Sequence, residues 1–211
     1  VYLGVDPTAS SLHIGHLVPV LKLKQFQDYG HDVIFLIGDY TGLIGGPSGR
    51  RQGRQQLDAE TLRRMSAGYA EQVFKILDPE KTEVRRNSEW LQKLHFSDII
   101  RLAAQFPLKQ IVARRDFQQR MEKGESLRFH EALYALMQGY DAHALDCDVQ
   151  VGGYDQYFNL LAGRVIQQSF GHKPHVMVTL PLLPGTDGRK MSKSYANAIN
   201  VTDSAIDMYG K

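Results

Sequence analysis

Residues 1–37 read VYLGVDPTASSLHIGHLVPVLKLKQFQDYGHDVIFLI, and this stretch decides the fold class. Val1 to Val5 is an apolar run of strand length that leads into a polar turn. Val33 to Ile37 is a second apolar run, rich in β-branched residues, typical of a strand buried on both faces of a parallel sheet. Gly30 lies just before it, where a helix C-cap belongs. Between the two runs, apolar residues recur at helical spacing: Leu17, Val20, Leu21 and Leu23.

A strand, a helix and a strand in this order form a βαβ unit, and its right-handed crossover produces a nucleotide-binding α/β sheet. Residues from about 57 to 145 change to a mostly helical pattern, which Pro79 and Pro107 punctuate. Strand patterns return at residues 149–151 and 176–178, with a helix between them. The predicted fold is therefore α/β, a Rossmann-like doubly wound parallel sheet with a helical insertion between its two halves.

Composition limits the function classes. The 211 residues carry a net charge of +2, so composition alone does not indicate a nucleic-acid binder. The basic residues Arg50, Arg51 and Arg54 are more typical of a solvated surface than of a binding site. Cys147 is the single cysteine, which excludes an intrachain disulfide and favours a cytoplasmic setting. No apolar run approaches the ~18 residues of a membrane span, and no export leader is visible, so we expect no membrane association.

The first chemical motif is His13-Ile14-Gly15-His16, after the first strand and at the start of the predicted helix. Free backbone N–H groups and the positive end of the dipole favour phosphate oxygens at this position. Gly15 carries no side chain, so a ligand such as a purine ring could approach the backbone. Two surface histidines beside a helical glycine are the alternative, but the placement after a strand favours nucleotide chemistry.

The second motif is Lys190-Met191-Ser192-Lys193-Ser194, inside a glycine-bordered loop of residues 185–195. Two lysines and two hydroxyls on a mobile loop suit a pyrophosphate that gains charge during a reaction. A Lys/Ser loop alone is more often a solvated turn. The combination with the histidine motif indicates that both grip one triphosphate.

A polar row follows on the last predicted helix of the insertion, at Tyr134, Gln138 and Asp141. The spacings of four and three residues place these side chains on one helical face. A wet surface stripe is the alternative, but the flanking Leu133 and Leu136 favour a partly buried row. A buried aspartate there can accept a hydrogen bond from a phenol, and phenylalanine would leave that acceptor unpaired.

These motifs resemble the HIGH and KMSKS signatures of class I aminoacyl-tRNA synthetases, and the second matches letter for letter. The resemblance narrows to bacterial-type tyrosyl-tRNA synthetases and covers essentially the whole chain as a catalytic domain of residues 1–211. The segments that carry it, in the expected order, are YLGVDPTA at 2–9, Gly45 with PSG at 47–49, the row at 134–141, and GGYDQ at 152–156.

The resemblance implies an enzyme that activates tyrosine with ATP and Mg²⁺ and transfers it to tRNA(Tyr). Implied tyrosine-binding residues are Tyr2, Asp6, Tyr134, Gln138, Asp141 and Gln156. Implied catalytic residues are Thr8, His13, His16, Lys190 and Lys193. Implied ATP-binding residues are Gly4, Gly15, Gly153, Asp155, Lys190, Met191, Ser192, Lys193 and Ser194. Magnesium would arrive with ATP, and no dedicated metal site is expected.

The resemblance further implies a homodimer through the helical insertion, with Phe117, Leu127 and Phe129 as candidate contacts that could equally be core. It implies an anticodon-binding domain beyond the KMSKS loop, which these 211 residues do not include.

The family segment Gly-Asp-Pro-Ser-Gly here reads Gly45-Gly46-Pro47-Ser48-Gly49, so the carboxylate that meets the substrate ammonium is absent. Asp39 could compensate, and the bulky Tyr154 replaces a smaller residue. Three alternatives therefore stay open: a synthetase paralogue with altered amino-acid specificity, another HxGH-type adenylyltransferase, and a non-catalytic RNA-binding paralogue.

Overall fold

A computed structural model describes residues 1–44, 58–192 and 195–211. Its strands are β1 (Tyr2–Val5), β2 (Val33–Ile37), β3 (Thr82–Arg86), β4 (Val149–Gly153) and β5 (Val176–Leu180). Its α-helices are α1 (Ile14–Asp28), α2 (Thr41–Ile44), α3 (Ala59–Ser66), α4 (Tyr69–Val73), α5 (Ser88–Leu91), α6 (Phe96–Ala103), α7 (Leu108–Val112), α8 (Arg115–Glu122), α9 (Phe129–Ala144), α10 (Tyr157–Ser169) and α11 (Ala205–Gly210). Short 3₁₀ helices cover Pro79–Lys81 and Tyr154–Gln156. The predictions for Arg50, Arg51, Arg54, Gly46, Lys193 and Ser194 fall outside the described residues.

The strands form a parallel sheet in the order β3-β2-β1-β4-β5. Tyr2 on the central strand β1 is opposite Ile34 of β2 on one side and Gln150 of β4 on the other. The chain winds outward from β1 to β3 and then returns to the other side of β1. In such sheets a crevice opens at the carboxyl ends of the strands on either side of this reversal. The reversal between β1 and β4 therefore marks the place for a binding site.

Both faces of the sheet are covered. Leu3 and Phe35 point to one face and pack with residues of α1 and α4. Tyr2 and Leu36 point to the other face and pack near Ala142 of α9. Successive residues of a strand point to opposite faces, so these two apolar clusters lie on either side of the same strands. The predicted doubly wound α/β fold is confirmed.

Gly30 ends α1 as predicted. It has a φ of +82°, and its N–H donates to the carbonyl of Gln27 at 3.0 Å. The next N–H, of His31, donates to the carbonyl of Phe26 at 3.1 Å. These two bonds make a Schellman motif, and its left-handed position is one that glycine occupies without steric cost.

The segment predicted as helical, about residues 57–145, contains the strand β3, which the sequence pattern did not reveal. Residues 82–86 read Thr-Glu-Val-Arg-Arg, without the apolar run of a buried strand. β3 is an edge strand that pairs with β2 alone, so its charged side chains can reach solvent. Arg85 there donates to Glu89 at 2.8 Å and to Glu83 at 3.1 Å. The helices α5 to α9 follow β3.

The described residues include no helix that is long and apolar enough to cross a membrane. Cys147 is buried, and burial raises the pKa of its thiol to about 12.

Of the candidate dimer contacts, Phe117 is a core residue with 2% of its surface exposed, whereas Phe129 is 77% exposed. Leu127 is half-buried.

His175 joins α10 to the start of β5. Its backbone N–H donates to Oε1 of Gln167 at 2.7 Å, and its Nδ1 lies 2.8 Å from the same oxygen. Because an amide oxygen only accepts hydrogen bonds, Nδ1 carries the proton of a neutral imidazole. Burial, together with the charge of Arg164, lowers the pKa of His175 to about 4.

Stability is expected to fall in mild acid because of His175. The unfolded chain protonates this histidine near pH 6.5, whereas the folded protein keeps it neutral down to a pKa of about 4. Between pH 7 and pH 5 the unfolded state thus binds more protons, which removes about 2 kcal/mol of unfolding free energy. Urea unfolding at both pH values should show this loss in the native chain and a smaller loss in His175→Gln. The exposed His31 supplies the control variant His31→Gln, and an unchanged pH slope in His175→Gln would refute the role.

Candidate active site

One cavity opens at the carboxyl ends of β1 and β4, where the winding of the sheet reverses. Every predicted site residue within the described ranges lines it. These residues are Tyr2, Gly4, Asp6, Thr8, His13, Gly15, His16, Tyr134, Gln138, Asp141, Gly153, Asp155, Gln156, Lys190, Met191 and Ser192. The sheet topology explains the convergence, because β1 and β4 are neighbours although about 150 residues separate their sequences.

The histidine motif forms the N-terminal end of α1. His13 is the N-cap residue, and its backbone N–H donates to Nδ1 of His16 at 3.1 Å. An N–H can only donate, so Nδ1 of His16 is unprotonated and a neutral His16 carries its proton on Nε2. The two rings stack with their centroids 3.7 Å apart. A Cβ on Gly15 would lie 3.0 Å from the His13 ring, so this glycine also makes room for the stacked imidazole.

The residues that follow the KMSKS motif are hydrogen-bonded to the start of the histidine motif. The N–H of Ile14 donates to the carbonyl of Ile199, and the N–H of Val201 donates to the carbonyl of Leu12, both at 2.9 Å. Met191 is only 4% exposed. The two motifs, remote in sequence, therefore border the same cavity.

Lys190 extends across the cavity mouth. Its Nζ contacts Oδ2 of Asp155 at 2.6 Å, and Asp155 follows the end of β4. An ammonium group and a carboxylate thus meet where the KMSKS segment approaches the sheet.

Asn197 organises the KMSKS segment, a role that sequence reasoning missed. Its Oδ1 accepts the N–H of Ser192 at 2.8 Å, and its Nδ2 donates to Asp187 at 2.7 Å and to the carbonyl of Lys190 at 3.2 Å. The hydrogen bonds of Asn197 and then Arg189 lower the pKa of Asp187 to about 2. The only sequence signal is an asparagine close to the motif.

The polar row of α9 shares one helical face, and all three side chains line the cavity. The Tyr134 hydroxyl donates to Oδ2 of Asp6 at 2.8 Å, and the Thr41 hydroxyl donates to Oδ1 of the same carboxylate at 2.8 Å. Asp6 is therefore held from both α9 and α2. A Cβ on Gly38 would lie 2.1 Å from Oδ1 of Asp6, so no larger residue fits beside this carboxylate without a shift.

Asp141 lies at the closed end of the cavity, with 3% of its surface exposed. Its Oδ1 accepts the indole N–H of Trp90 at 2.8 Å, and its Oδ2 accepts the amide of Asn87 at 3.2 Å. Burial raises the pKa of this carboxyl well above its usual value, against the lowering effect of these two donors. Sequence reasoning identified neither Trp90 nor Asn87.

Several cavity residues have a buried polar atom without a hydrogen-bond partner among the described residues. The Tyr2 hydroxyl, Oε1 of Gln138 and Oε1 of Gln150 are examples. Buried polar groups are nearly always paired in native proteins, so atoms of this kind in a cavity suit a polar ligand. Gln150 was not predicted, although a glutamine inside the apolar strand β4 is a detectable signal.

Asp39, the expected substitute for the missing carboxylate, does not line the cavity. It accepts the backbone N–H and the hydroxyl of Ser88, at 3.0 Å and 2.8 Å. Arg86 lies 3.7 Å away on the same carboxylate. Asp39 therefore caps α5, and the idea that it compensates for Gly46 is wrong in this structure.

In the described parts of the chain, no group of three His, Cys, Asp or Glu side chains is placed to hold a metal ion. What the cavity offers is a helix N-terminus with two imidazoles, a lysine at its mouth, and a buried polar pocket. Such a site can bind an anionic nucleotide beside a small polar molecule.

The chain belongs to the class I tRNA synthetases of the tryptophan and tyrosine group: the family model described as tRNA synthetases class I (W and Y) matches residues 1–211. The tyrosine–tRNA ligase of Haemophilus influenzae is 51% identical, over 100% of this chain and 53% of that protein. The tyrosine–tRNA ligase of Carboxydothermus hydrogenoformans is 48% identical, over 100% of this chain and 52% of that protein. The chain thus spans about half the length of the curated relatives it matches.

Solved structures of this family share the fold. The C-terminally truncated mitochondrial tyrosyl-tRNA synthetase of Aspergillus nidulans aligns with a TM-score of 0.78 at 29% identity, over 92% of this chain and 63% of that one. The tyrosyl-tRNA synthetase of Archaeoglobus fulgidus, complexed with L-tyrosine, aligns with a TM-score of 0.79 at 26% identity, over 96% of this chain and 60% of that one.

Proposed function

We propose that this chain carries the amino-acid activation site of a tyrosine–tRNA ligase, which forms tyrosyl-adenylate from tyrosine and ATP. One observation carries the proposal: the polar pocket around Asp141, the two histidines of the first motif and Lys190 of the second line one cavity. A phenol-bearing amino acid and a nucleoside triphosphate can therefore occupy adjoining parts of it. The names of the relatives at about half identity support the same substrate.

The reaction is an in-line displacement at phosphorus. The tyrosine carboxylate attacks the α-phosphorus of ATP, an oxygen–phosphorus bond forms, and the bond to the departing pyrophosphate breaks. The carboxylate is already ionised near neutral pH, so no residue acts as a general base. The protein contributes position and charge stabilisation.

The motif residues serve the leaving group. Thr8 and His13 contact the γ-phosphate as it departs, and His16 with its Nε2 proton lies beside the nucleotide. Lys190, together with Lys193, closes over the pyrophosphate. ATP enters as its magnesium complex, so the metal is part of the substrate.

Nucleotide binding uses the ends of β1 and β4 and the KMSKS segment. Asp155 receives the ribose, and ATP must then displace Lys190 from this carboxylate. Gly4 and Gly153 leave room for the adenylate, and the other residues assigned to ATP binding are Gly15, Met191, Ser192, Lys193 and Ser194.

Selectivity for tyrosine rests on the closed end of the cavity. Tyr2 and Asp141 meet the phenolic hydroxyl, while Tyr134 and Gln138 hold the α-amino group with Asp6 behind them. Phenylalanine would leave the buried Tyr2 hydroxyl without a partner, at a cost of about 1–3 kcal/mol. It would also donate nothing to Asp141, whose two oxygens already accept from Trp90 and Asn87.

The complete protein transfers the tyrosyl group to tRNA(Tyr) and works in the cytoplasm as a homodimer. The exposed side chain of Phe129, at the start of α9, supports a subunit contact through the helical segment. The single, buried cysteine is compatible with a reducing compartment.

ATP–pyrophosphate exchange with each amino acid tests the proposal. The chain should catalyse exchange with tyrosine and far more slowly with phenylalanine or tryptophan. Exchange with a different amino acid would identify a paralogue of altered specificity. In that case Gly46→Asp, which restores the carboxylate of the family segment, is the first variant to test. A chain without exchange for any amino acid would overturn the proposal in favour of a non-catalytic paralogue.

A further inference from the structure

A chain of hydrogen bonds, part-buried at Gln156 and buried at Arg114, leads away from the cavity behind Gln156. The Asn159 side chain, on α10 and 3% exposed, donates its Nδ2 to Oε1 of Gln156 at 2.8 Å. Nη1 of Arg114, the N-cap residue of α8, donates to Oδ1 of Asn159 at 3.4 Å. Gln156 lines the cavity, whereas neither Arg114 nor Asn159 does.

The direction of every bond in this chain follows from the arginine. A guanidinium group has donors and no acceptor, so Asn159 must turn its oxygen to Arg114. The NH₂ group of Asn159 then points to Gln156, and the side-chain oxygen of Gln156 must accept its hydrogen bond. The NH₂ group of Gln156 is consequently left for the cavity.

Arg114 is itself held in place. Asp116 accepts from its Nε at 3.2 Å and from its Nη2 at 3.3 Å, in a bidentate pair. The rings of Phe117 and Phe158 lie 4.8 Å and 5.2 Å from its guanidinium carbon. The guanidinium of Arg114 is planar, paired with a carboxylate, stacked on rings and only 9% exposed, so its position is fixed. It therefore fixes the orientation of the Asn159 and Gln156 amides.

We propose that Arg114 and Asn159 are positioning residues that hold the Gln156 amide with its NH₂ group toward the reacting centre. This inference rests on the proposed function, in which Gln156 lies beside the attacking carboxylate and the α-phosphate. Negative charge shifts onto the phosphate oxygens in the transition state, where a prearranged donor stabilises it. A reversed amide would instead place an acceptor oxygen against this charge.

Asn159→Asp tests the orientation, because a carboxylate accepts and does not donate. It keeps the bond to Arg114, and it forces Gln156 to turn its NH₂ group inward and its oxygen to the cavity. In pyrophosphate exchange we expect kcat to fall at least about tenfold, with the KM for tyrosine within about twofold of the native value.

Asn159→Ala separates positioning from a structural role. It removes both hydrogen bonds and frees the Gln156 amide to rotate, so its thermal unfolding midpoint should lie below that of Asn159→Asp. Its kcat, however, should lie above that of Asn159→Asp, because a freely rotating Gln156 amide still turns its NH₂ group to the cavity part of the time. If Asn159 only supported the fold, the less stable variant Asn159→Ala would also have the lower kcat. A lower kcat for Asn159→Ala than for Asn159→Asp would therefore overturn the inference.

The Gln156→Ala background tests whether Asn159 acts through Gln156. Adding Asn159→Asp to Gln156→Ala should cause no further loss of kcat, since the amide to be turned is absent. An undiminished loss in this background, or a native kcat in the single variant Asn159→Asp, would overturn the inference. Tyrosine-dependent exchange by the native chain is measured in the same series, so failure of the proposed function is seen separately.

Discussion

Replacing His13 by alanine is expected to slow adenylate formation by about 10²-fold or more, while the affinity for tyrosine stays close to the native value. His13 is the N-cap of α1, stacked on His16, and lines the part of the cavity to which the proposed function assigns the departing phosphates. An interaction made mainly in the transition state appears in kcat, and removing one such prearranged donor costs about 10²–10³-fold. Single-turnover adenylate formation, with tyrosine binding measured by equilibrium titration, provides both quantities.

His95→Ala is the matched control for the loss of a histidine N-cap. His95 occupies the same position at the start of α6, is exposed, and lies away from the cavity. This variant should keep the native rate of adenylate formation. A His13→Ala enzyme that loses tyrosine affinity and keeps its single-turnover rate would contradict the assigned role.

Asp141→Ala is expected to damage both selectivity and stability. The indole N–H of Trp90 and the amide of Asn87 would each lose a buried acceptor, which costs about 1–3 kcal/mol for each donor. The phenol of tyrosine would lose a partner as well, so kcat/KM for tyrosine should fall about 10²-fold, whereas that for phenylalanine should change far less. Pyrophosphate exchange with the two amino acids, and urea unfolding, measure these effects.

The exposed Asp148, close to the same helix and remote from the cavity, supplies the control variant Asp148→Ala. It should match the native chain in both assays. Equal losses of kcat/KM for tyrosine and phenylalanine in Asp141→Ala would argue that Asp141 supports the fold and does not read the phenol.

Local patterns account for the parts of the fold and site that were predictable. The apolar runs of β1 and β2, the helical spacing of α1 and the glycine at its end are properties of neighbouring residues. The row of Tyr134, Gln138 and Asp141 is likewise local, because helical periodicity alone places the three on one face. The two nucleotide motifs are contiguous residues, so they were readable without any knowledge of the fold.

The missed strand β3 shows where local patterns fail. Its five residues include three charged ones, and it is a strand because the backbone of β2 offers it hydrogen bonds. Edge strands need only one buried side, so their side chains carry a weak pattern. The hydrogen-bond partners of Asp141 could not be predicted from local patterns either, because Trp90 and Asn87 lie 51 and 54 residues before it.

The sequence by itself determined the class of fold, the two motifs and the polar row, because each depends on residues within a few turns or one strand. Only the tertiary structure decided that Asp39 caps a helix, and that Asn197 is hydrogen-bonded to Lys190 and Ser192 of the KMSKS motif. It also decided that Arg114 is hydrogen-bonded to Asn159 behind Gln156. Those contacts form when packing of the sheet and helices brings distant backbones within hydrogen-bonding range. Their partners are chosen by position in the folded chain, and no short stretch of residues encodes that position.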